Sequence, residues 1–327
     1  MRVCLVSPFA WSVPHEVNDH VAGVAKELRA LGHSVTVLAP SSRTADLLAG
    51  RRALLSEVDA EVIAIGPAVP VSRRSSMGVP VGARASLMIA LSRGRYDVVH
   101  GFEPGLPSLS YLALRYAHTI SVASFFSPER LAYPPGKAQR ERLLGRVDAL
   151  IAASPETAAA AAERFPGDYR VISPGVDTVL HRPRRKRRLI VLEWRGVERP
   201  LARAVIRILD ELPGWELVLL RTRPLSGRPY VPRRLASRVR SRLGRDDAPR
   251  AAVLGEAAIF VPAVEGSSRL ALEADAAGAA TAAPPGVDSQ PELAAAAVAR
   301  LAENEELRNA LGGEARQRAE EIGRAHV

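Results

Sequence analysis

Near the carboxyl end of the chain, two carboxylates bracket a short polar run, Glu265-Gly-Ser-Ser-Arg-Leu-Ala-Leu-Glu273, which continues as Ala-Asp-Ala-Ala-Gly278. Eight positions on a helix is about two turns, and the angular offset is roughly 80° at about 100° per residue. One carboxylate can stand at the helix mouth while the other faces along the same side. The unpaired N–H groups of the first turn make that mouth a ready anion site, although on spacing alone a solvated pair of glutamates is the commoner reading. Other chemistries find no support. The sequence has no P-loop and no Gly-x-Ser-x-Gly elbow, and its seven histidines include no i, i+4 pair of the kind that binds zinc together with a carboxylate. Zinc chemistry and nucleophilic hydrolysis are therefore poor candidates, and no metal site is expected. His20, near the start of the first helix, and Glu103, at the end of a strand, are smaller candidates for ligand contact.

The elements that must position these residues alternate regularly. Apolar runs at Val3 to Ser7, Ser34 to Ala39, Glu61 to Ile65, Asp97 to His100, Thr119 to Ser124, Ala149 to Ala153 and Tyr169 to Ser173 read as strands. Amphipathic stretches between them read as helices. Continuous apolar strands separated by helices imply a parallel sheet covered on both faces. The charge run His181 to Arg188 (HRPRRKRR) interrupts the pattern and is expected to be a linker. A second series then follows: strands at Leu189 to Leu192, Trp215 to Leu220, Ala252 to Leu254, Ala258 to Pro262 and Ala279 to Ala282. Its helices are expected at Pro200 to Leu212, at a basic stretch Arg233 to Leu243, at Ser267 to Ala277, and from Gln290 and Asn304. The expectation is an α/β chain of two doubly wound, Rossmann-like domains, 1–180 and 189–327, joined by 181–188 and facing a cleft.

Composition sets limits. A chain of 327 residues with 47% apolar and 24% charged residues is ordinary globular protein, long enough for about two domains. The longest apolar stretches fall short of the roughly 18 residues of a membrane span, and no leader is evident. The single cysteine, Cys4, lies in an apolar strand and reads as a buried, inert residue of a chain in a reducing cytoplasm. The net charge of +10 could attract nucleic acid, a membrane or a phosphorylated substrate. Three lysines stand against forty-two arginines, a skew that codon bias produces, and aromatics are only 5%, so nucleic acid is not expected as a partner.

The Glu265 to Glu273 segment, with its following Ala-Asp-Ala-Ala-Gly278, resembles the Glu, seven residues, Glu signature of family 4 retaining glycosyltransferases, which have the two-domain GT-B fold. Further stretches agree in order: RVCLVSPF from Arg2, HVAGVAKELRALGHSVTVLAP from His20, Asp97-Val-Val-His-Gly-Phe-Glu-Pro104 with Pro107-Ser-Leu-Ser110, and Ser173-Pro-Gly-Val-Asp177. The first 180 or so residues are most similar to phosphatidylinositol mannosyltransferases. The resemblance implies transfer of a hexose from a nucleotide-diphosphate sugar to a lipid or glycan acceptor with retention, without a cofactor. Glu265 would hold the transferred sugar, Glu273 the ribose hydroxyls, and Arg195 and Arg199 the diphosphate. Ser267, Ser268 and Arg269 would lie on the donor side, with His20 and Glu103 on the acceptor side. Peripheral contact with an anionic membrane is implied as well.

The departures from the family pattern are specific. Pro14-His15-Glu16 stands where relatives have a Gly-Gly loop, Phe126 stands where they have an active-site histidine, and Ser267-Ser268 replaces Phe-Gly. The helix before Ala258 reads as deleted. These changes support an alternative, a catalytically impaired sugar-nucleotide or lipid-headgroup binding protein on the same fold. A nucleotide-sugar epimerase is a weaker alternative, because the additional acidic and histidine groups it needs are not evident. The closing Ile322-Gly-Arg-Ala-His-Val327 reads as the translation of a sequencing adapter, so the reading frame is expected to be truncated.

Overall fold

The computed structural model describes residues 1–13, 15–56, 60–72, 75–78, 82–196, 199–221, 227, 229–244, 247–263, 269–282 and 291–324. It divides into two compact units, Met1–Pro174 and Gly175–Val327. In chain order, the first contains β1 (Arg2–Val6), α1 (Glu16–Ala30), β2 (Ser34–Ser41), α2 (Thr44–Ser56), β3 (Val62–Ser72), β4 (Ser75–Gly78) and α3 (Ala83–Gly94). It continues with β5 (Val98–Phe102), α4 (Leu109–Tyr116), β6 (Ile120–Phe125), α5 (Lys137–Leu144), β7 (Ala149–Ala152), α6 (Pro155–Arg164) and β8 (Tyr169–Val171). The sheet order is β4-β3-β2-β1-β5-β6-β7-β8, parallel except for the β3–β4 pair.

The apolar strand runs are continuous because both faces are covered. On β1, Val3 and Leu5 enter one core with Val35, Val37 and Phe102, while Cys4 and Val6 enter the other with Leu38, Val99 and Leu114. Burial pushes the Cys4 thiol far above its ordinary pKa, so it stays protonated and packs as a small hydrophobe. Helix ends follow local chemistry. Gly32 takes a left-handed φ of 84° after α1, and Ser154 caps α6 by accepting from the Thr157 N–H at 3.1 Å, with Pro155 in the first turn.

The second unit contains β9 (Arg187–Trp194), α7 (Arg199–Leu209), β10 (Glu216–Arg221), β11 (Val239–Leu243), α8 (Asp247–Glu256) and β12 (Ala257–Val261). It ends with α9 (Arg269–Ala276), β13 (Ala280–Thr281), α10 (Pro291–Glu303) and α11 (Glu305–Arg324). The sheet is parallel, in the order β11-β10-β9-β12-β13. Ile190, Leu192 and Trp194 pack with Val205, Ile206 and Leu209 of α7, and Leu189 and Val191 pack on the other face with Leu254 and Ala274. Both sheets thus have a point where the chain winds in opposite directions from a central strand: between β1 and β5, and between β9 and β12. Ligands of open α/β sheets bind at the carboxyl ends of strands at such points.

Three expectations change. The basic stretch Arg233 to Leu243, expected as a helix, is a single 3-10 turn at Arg233–Leu235 followed by strand β11, whose backbone pairs with β10. Ala252 to Leu254, expected as a strand, lies inside α8, so the helix that reads as deleted is present. Its apolar residues cover one face of the sheet at helical spacing, which a short alanine-rich run does not reveal. The basic run 181–188 is not a free connector. His181 is buried, the Arg184 N–H donates to Gly255 O at 3.1 Å, Lys186 Nζ donates to Ala277 O at 2.7 Å, and Arg187 begins β9. Among the described residues no helix is long and apolar enough to cross a membrane.

Candidate functional site

In the first unit the carboxyl ends of β1, β5 and β6 converge on a cluster of charged and aromatic side chains. Glu103 follows β5 with a left-handed φ of 51°, an uncommon conformation for a non-glycine residue, and its side chain is fully buried. Its N–H donates to Ser124 O at 2.7 Å, which ties the turn to β6. Oε1 accepts from Arg130 Nη1 at 3.1 Å, and the Phe126 backbone N–H also stabilises the ionised carboxylate. Burial pushes the carboxyl up to about 7, against the opposing charge of Arg130. Arg130 also donates to Glu16 at 2.7 Å, joining the segment after β6 to the first turn of α1.

Aromatic rings complete this cluster. Phe9 stacks on His15 with centroids 3.5 Å apart, and the Arg130 guanidinium lies 5.3 Å from the Phe9 ring. His20, half-buried, meets Phe126 edge-on at 4.9 Å and Phe102 at 6.0 Å, while His100 stacks on Phe102 at 4.2 Å. Burial, then the nearby His20, pulls the His100 pKa down to about 3, so it is neutral, and its Nε2 hydrogen-bonds Ser124 Oγ at 2.7 Å. His15 and Glu16 thus have local roles: His15 Nδ1 accepts from the Val17 N–H at 3.2 Å as the cap of α1, and Glu16 holds Arg130. Asn18 anchors the same helix start by donating to Ala10 O at 2.9 Å.

In the second unit Arg195 directly follows β9, and its Nε donates to Glu193 Oε1 at 2.9 Å. Glu193 is buried, and its Oε2 accepts from the Ala263 N–H at 3.2 Å, so one carboxylate bridges the ends of β9 and β12. Arg199 is exposed and opens α7. Glu273 sits in α9, buried, with both oxygens engaged. Oε2 accepts from Arg250 Nε at 2.6 Å, and Oε1 accepts from Arg250 Nη2 at 2.8 Å and from Arg269 Nε at 2.9 Å. His181 Nε2 lies 3.7 Å from the same Oε1. Burial alone would raise the Glu273 pKa, but the hydrogen bonds and charge of Arg250 outweigh it and hold the carboxyl ionised. Burial lowers the His181 pKa.

Of the sequence-derived candidates, the structure brings Arg269 and Glu273 into one cluster, sets Arg195 after β9 and Arg199 at the start of α7, and sets His20 on α1 and Glu103 at the end of β5 in the first unit. Glu265, Ser267 and Ser268 lie outside the described residues. The sequence reading missed Arg130, Arg250, His181 and Glu193. Only Glu193 carries a local signal, a charge inside the apolar run Leu189-Ile-Val-Leu-Glu-Trp194. Arg250 is 23 positions from its partner, beyond any helical spacing. Among the described residues no cluster could hold a metal ion.

Residues 17–180 match the family model Glycosyltransferase Family 4. The chain is 31% identical over 276 residues to a phosphatidyl-myo-inositol mannosyltransferase of Propionibacterium freudenreichii subsp. shermanii, an alignment covering 80% of this chain and 70% of that protein. Among solved structures, Anabaena Alr3699/HepE in complex with UDP superposes with a TM-score of 0.62 at 14% identity, covering 98% of this chain and 95% of that one. A variant of S. aureus TarM, in complex with fondaparinux, α-GlcNAc-glycerol and UDP, gives 0.65 at 9% identity with 98% of both chains covered. These likenesses carry the two-domain fold, and with the family match and the Propionibacterium relative they lead to one conclusion: the chain belongs to glycosyltransferase family 4.

Proposed function

We propose that this chain transfers a hexose from a nucleotide-diphosphate sugar to a lipid or glycan acceptor with retention at the anomeric carbon. The observation that carries the reading is the position of two arginines, Arg195 directly after β9 and Arg199 at the start of α7, beside the point where the second sheet reverses its winding. Breaking the anomeric bond leaves negative charge on the diphosphate. Guanidinium forks and the N–H groups opening α7 are suited to receive it in place of a divalent metal. Glu193 accepts from Arg195 Nε and so restrains that side chain. In this reading Glu265 holds the transferred sugar and Glu273 the ribose. Ser267, Ser268 and Arg269 line the donor side, and the first unit offers His20 to the acceptor, Glu103 being fully buried. The Propionibacterium relative's name supports a phosphoinositide as the acceptor to try first.

The test is turnover of nucleotide-diphosphate hexoses by the chain and by Arg195→Ala and Arg199→Ala. Loss of one such stabilising donor is expected to lower kcat by about 10² to 10³. Variants that turn over donor like the parent would overturn the assignment.

A second reading, binding without transfer, is favoured by one observation: Phe126 is packed among His20 and Phe102 and offers no imidazole nitrogen there. Restoring histidine with Phe126→His separates the two. A rise from no turnover to measurable transfer supports the binding reading for the natural chain. Robust transfer by the natural chain removes it.

A further inference from the structure

Arg250 approaches Glu273 as a fork. Its Nε and Nη2 take the two carboxylate oxygens at 2.6 and 2.8 Å, and both side chains are buried. Arg269 adds a third hydrogen bond at 2.9 Å. A carboxylate held this way cannot at the same time receive a pair of ribose hydroxyls, because the guanidinium plane occupies the edge that a vicinal diol would use. We propose that Arg250 is an internal competitor of the ribose: in this arrangement it closes Glu273, and it must swing away before a nucleoside diphosphate is fully seated. This rests on the reading of Glu273 as the ribose acceptor.

The surroundings supply a second resting place for the guanidinium and leave Glu273 accompanied when it departs. Arg250 Nη1 donates to Gly244 O at 2.8 Å, and Nη2 donates to Asp247 Oδ1 at 2.6 Å, so part of its bonding does not involve Glu273. Asp247 is half-exposed at the start of α8, a position from which it can draw Arg250 toward solvent. On the other side, Arg269 and His181 remain beside Glu273. Each partner therefore has an alternative, and such a pair is a two-state element that a ligand can bias. The same geometry makes Arg250 a determinant of affinity. With the competent state populated at about a tenth, the apparent Kd is about tenfold above its intrinsic value.

This leads to an outcome contrary to simple charge reasoning, in which removing a cation weakens binding of an anion. Calorimetry with UDP and GDP on the whole chain should show Arg250→Met binding the preferred nucleotide about tenfold more tightly than the parent, and Arg250→Lys, which keeps the charge but not the fork, falling between them. Inorganic pyrophosphate and a 2′,3′-dideoxynucleoside diphosphate lack the diol, so their affinities should not improve in either variant. A purely structural role for Arg250 would weaken all four ligands together, and it would overturn the proposal. Unchanged UDP and GDP affinity in a folded Arg250→Lys chain, checked by its melting transition, would overturn it equally while leaving the nucleotide reading intact. Failure of parent and variants alike to bind either nucleotide would remove that reading and the proposal with it.

Discussion

Glu103 shows how a single position joins backbone strain, burial and charge. Its left-handed φ turns the chain sharply at the end of β5 and drives a carboxyl into the interior, where only Oε1 meets Arg130. With a folded-state pKa of about 7 against an ordinary 4.5, the native chain holds this proton more tightly than the unfolded chain does. Its contribution to stability is therefore whole below about pH 4.5 and is lost as the pH rises to about 7. Glu103→Gln cannot ionise. Its stability relative to the parent should climb through that window and level off above it, with a ceiling on the order of 3 kcal/mol. Urea midpoints of both proteins across the window decide the matter, and a difference that stays flat rejects a buried carboxyl titrating there.

At the scale of elements, α11 carries two adjacent glycines with opposite consequences. A Cβ on Gly312 would lie 2.6 Å from Gly278 O, in the turn that follows α9, whereas one on Gly313 meets nothing within 4 Å. Gly312→Ala should cost about 1 to 3 kcal/mol through forced separation of the two segments. Gly313→Ala should stabilise by up to about 1 kcal/mol, the helix-propensity gain of alanine. Equal melting shifts for the pair would contradict the close approach. Elements of this kind were unevenly legible in the sequence. The central strands β1, β5, β9 and β12 could be read because burial on both faces makes their apolar runs continuous. The segment Arg233 to Leu243 misled because its leucines and valine fall at helical spacing, while β11 owes its form to pairing with β10. Alanine-rich α8 misled in the reverse sense. The candidate site divides likewise: Glu273 and Arg195 belong to local patterns, but Arg130 and Arg250 reach their partners only through the fold.

For the whole molecule, the net charge of +10 gives a direct expectation. If the arginine excess serves a lipid acceptor, the chain should co-sediment with vesicles containing an anionic lipid at low ionic strength. It should release as salt shortens the Debye length below roughly 10 Å. Vesicle binding that ignores salt, or its absence at low salt, would return the excess to codon bias. The two compact units each have their own pair of cores, and melting of variants altered in one unit should show whether its transition moves by itself.

The closing helix also joins residues far apart in sequence. Arg316 of α11 donates to Thr178 O at 3.1 Å, to His181 O at 3.0 Å and to Ala276 O, while Lys186 donates to Ala277 O. Two cations thus satisfy carbonyls at the carboxyl end of the helix bearing Glu273, the end where the helix dipole favours positive charge. In hydrogen exchange these segments should behave as one cooperative opening unit: amides of α9, of 178–181 and of α11 should share a common protection, and Arg316→Ala should lower it in all three. Local fraying confined to α11 in that variant would show that the segments open independently. Shared protection would mean that α11 sets how often the Glu273 helix is exposed to water.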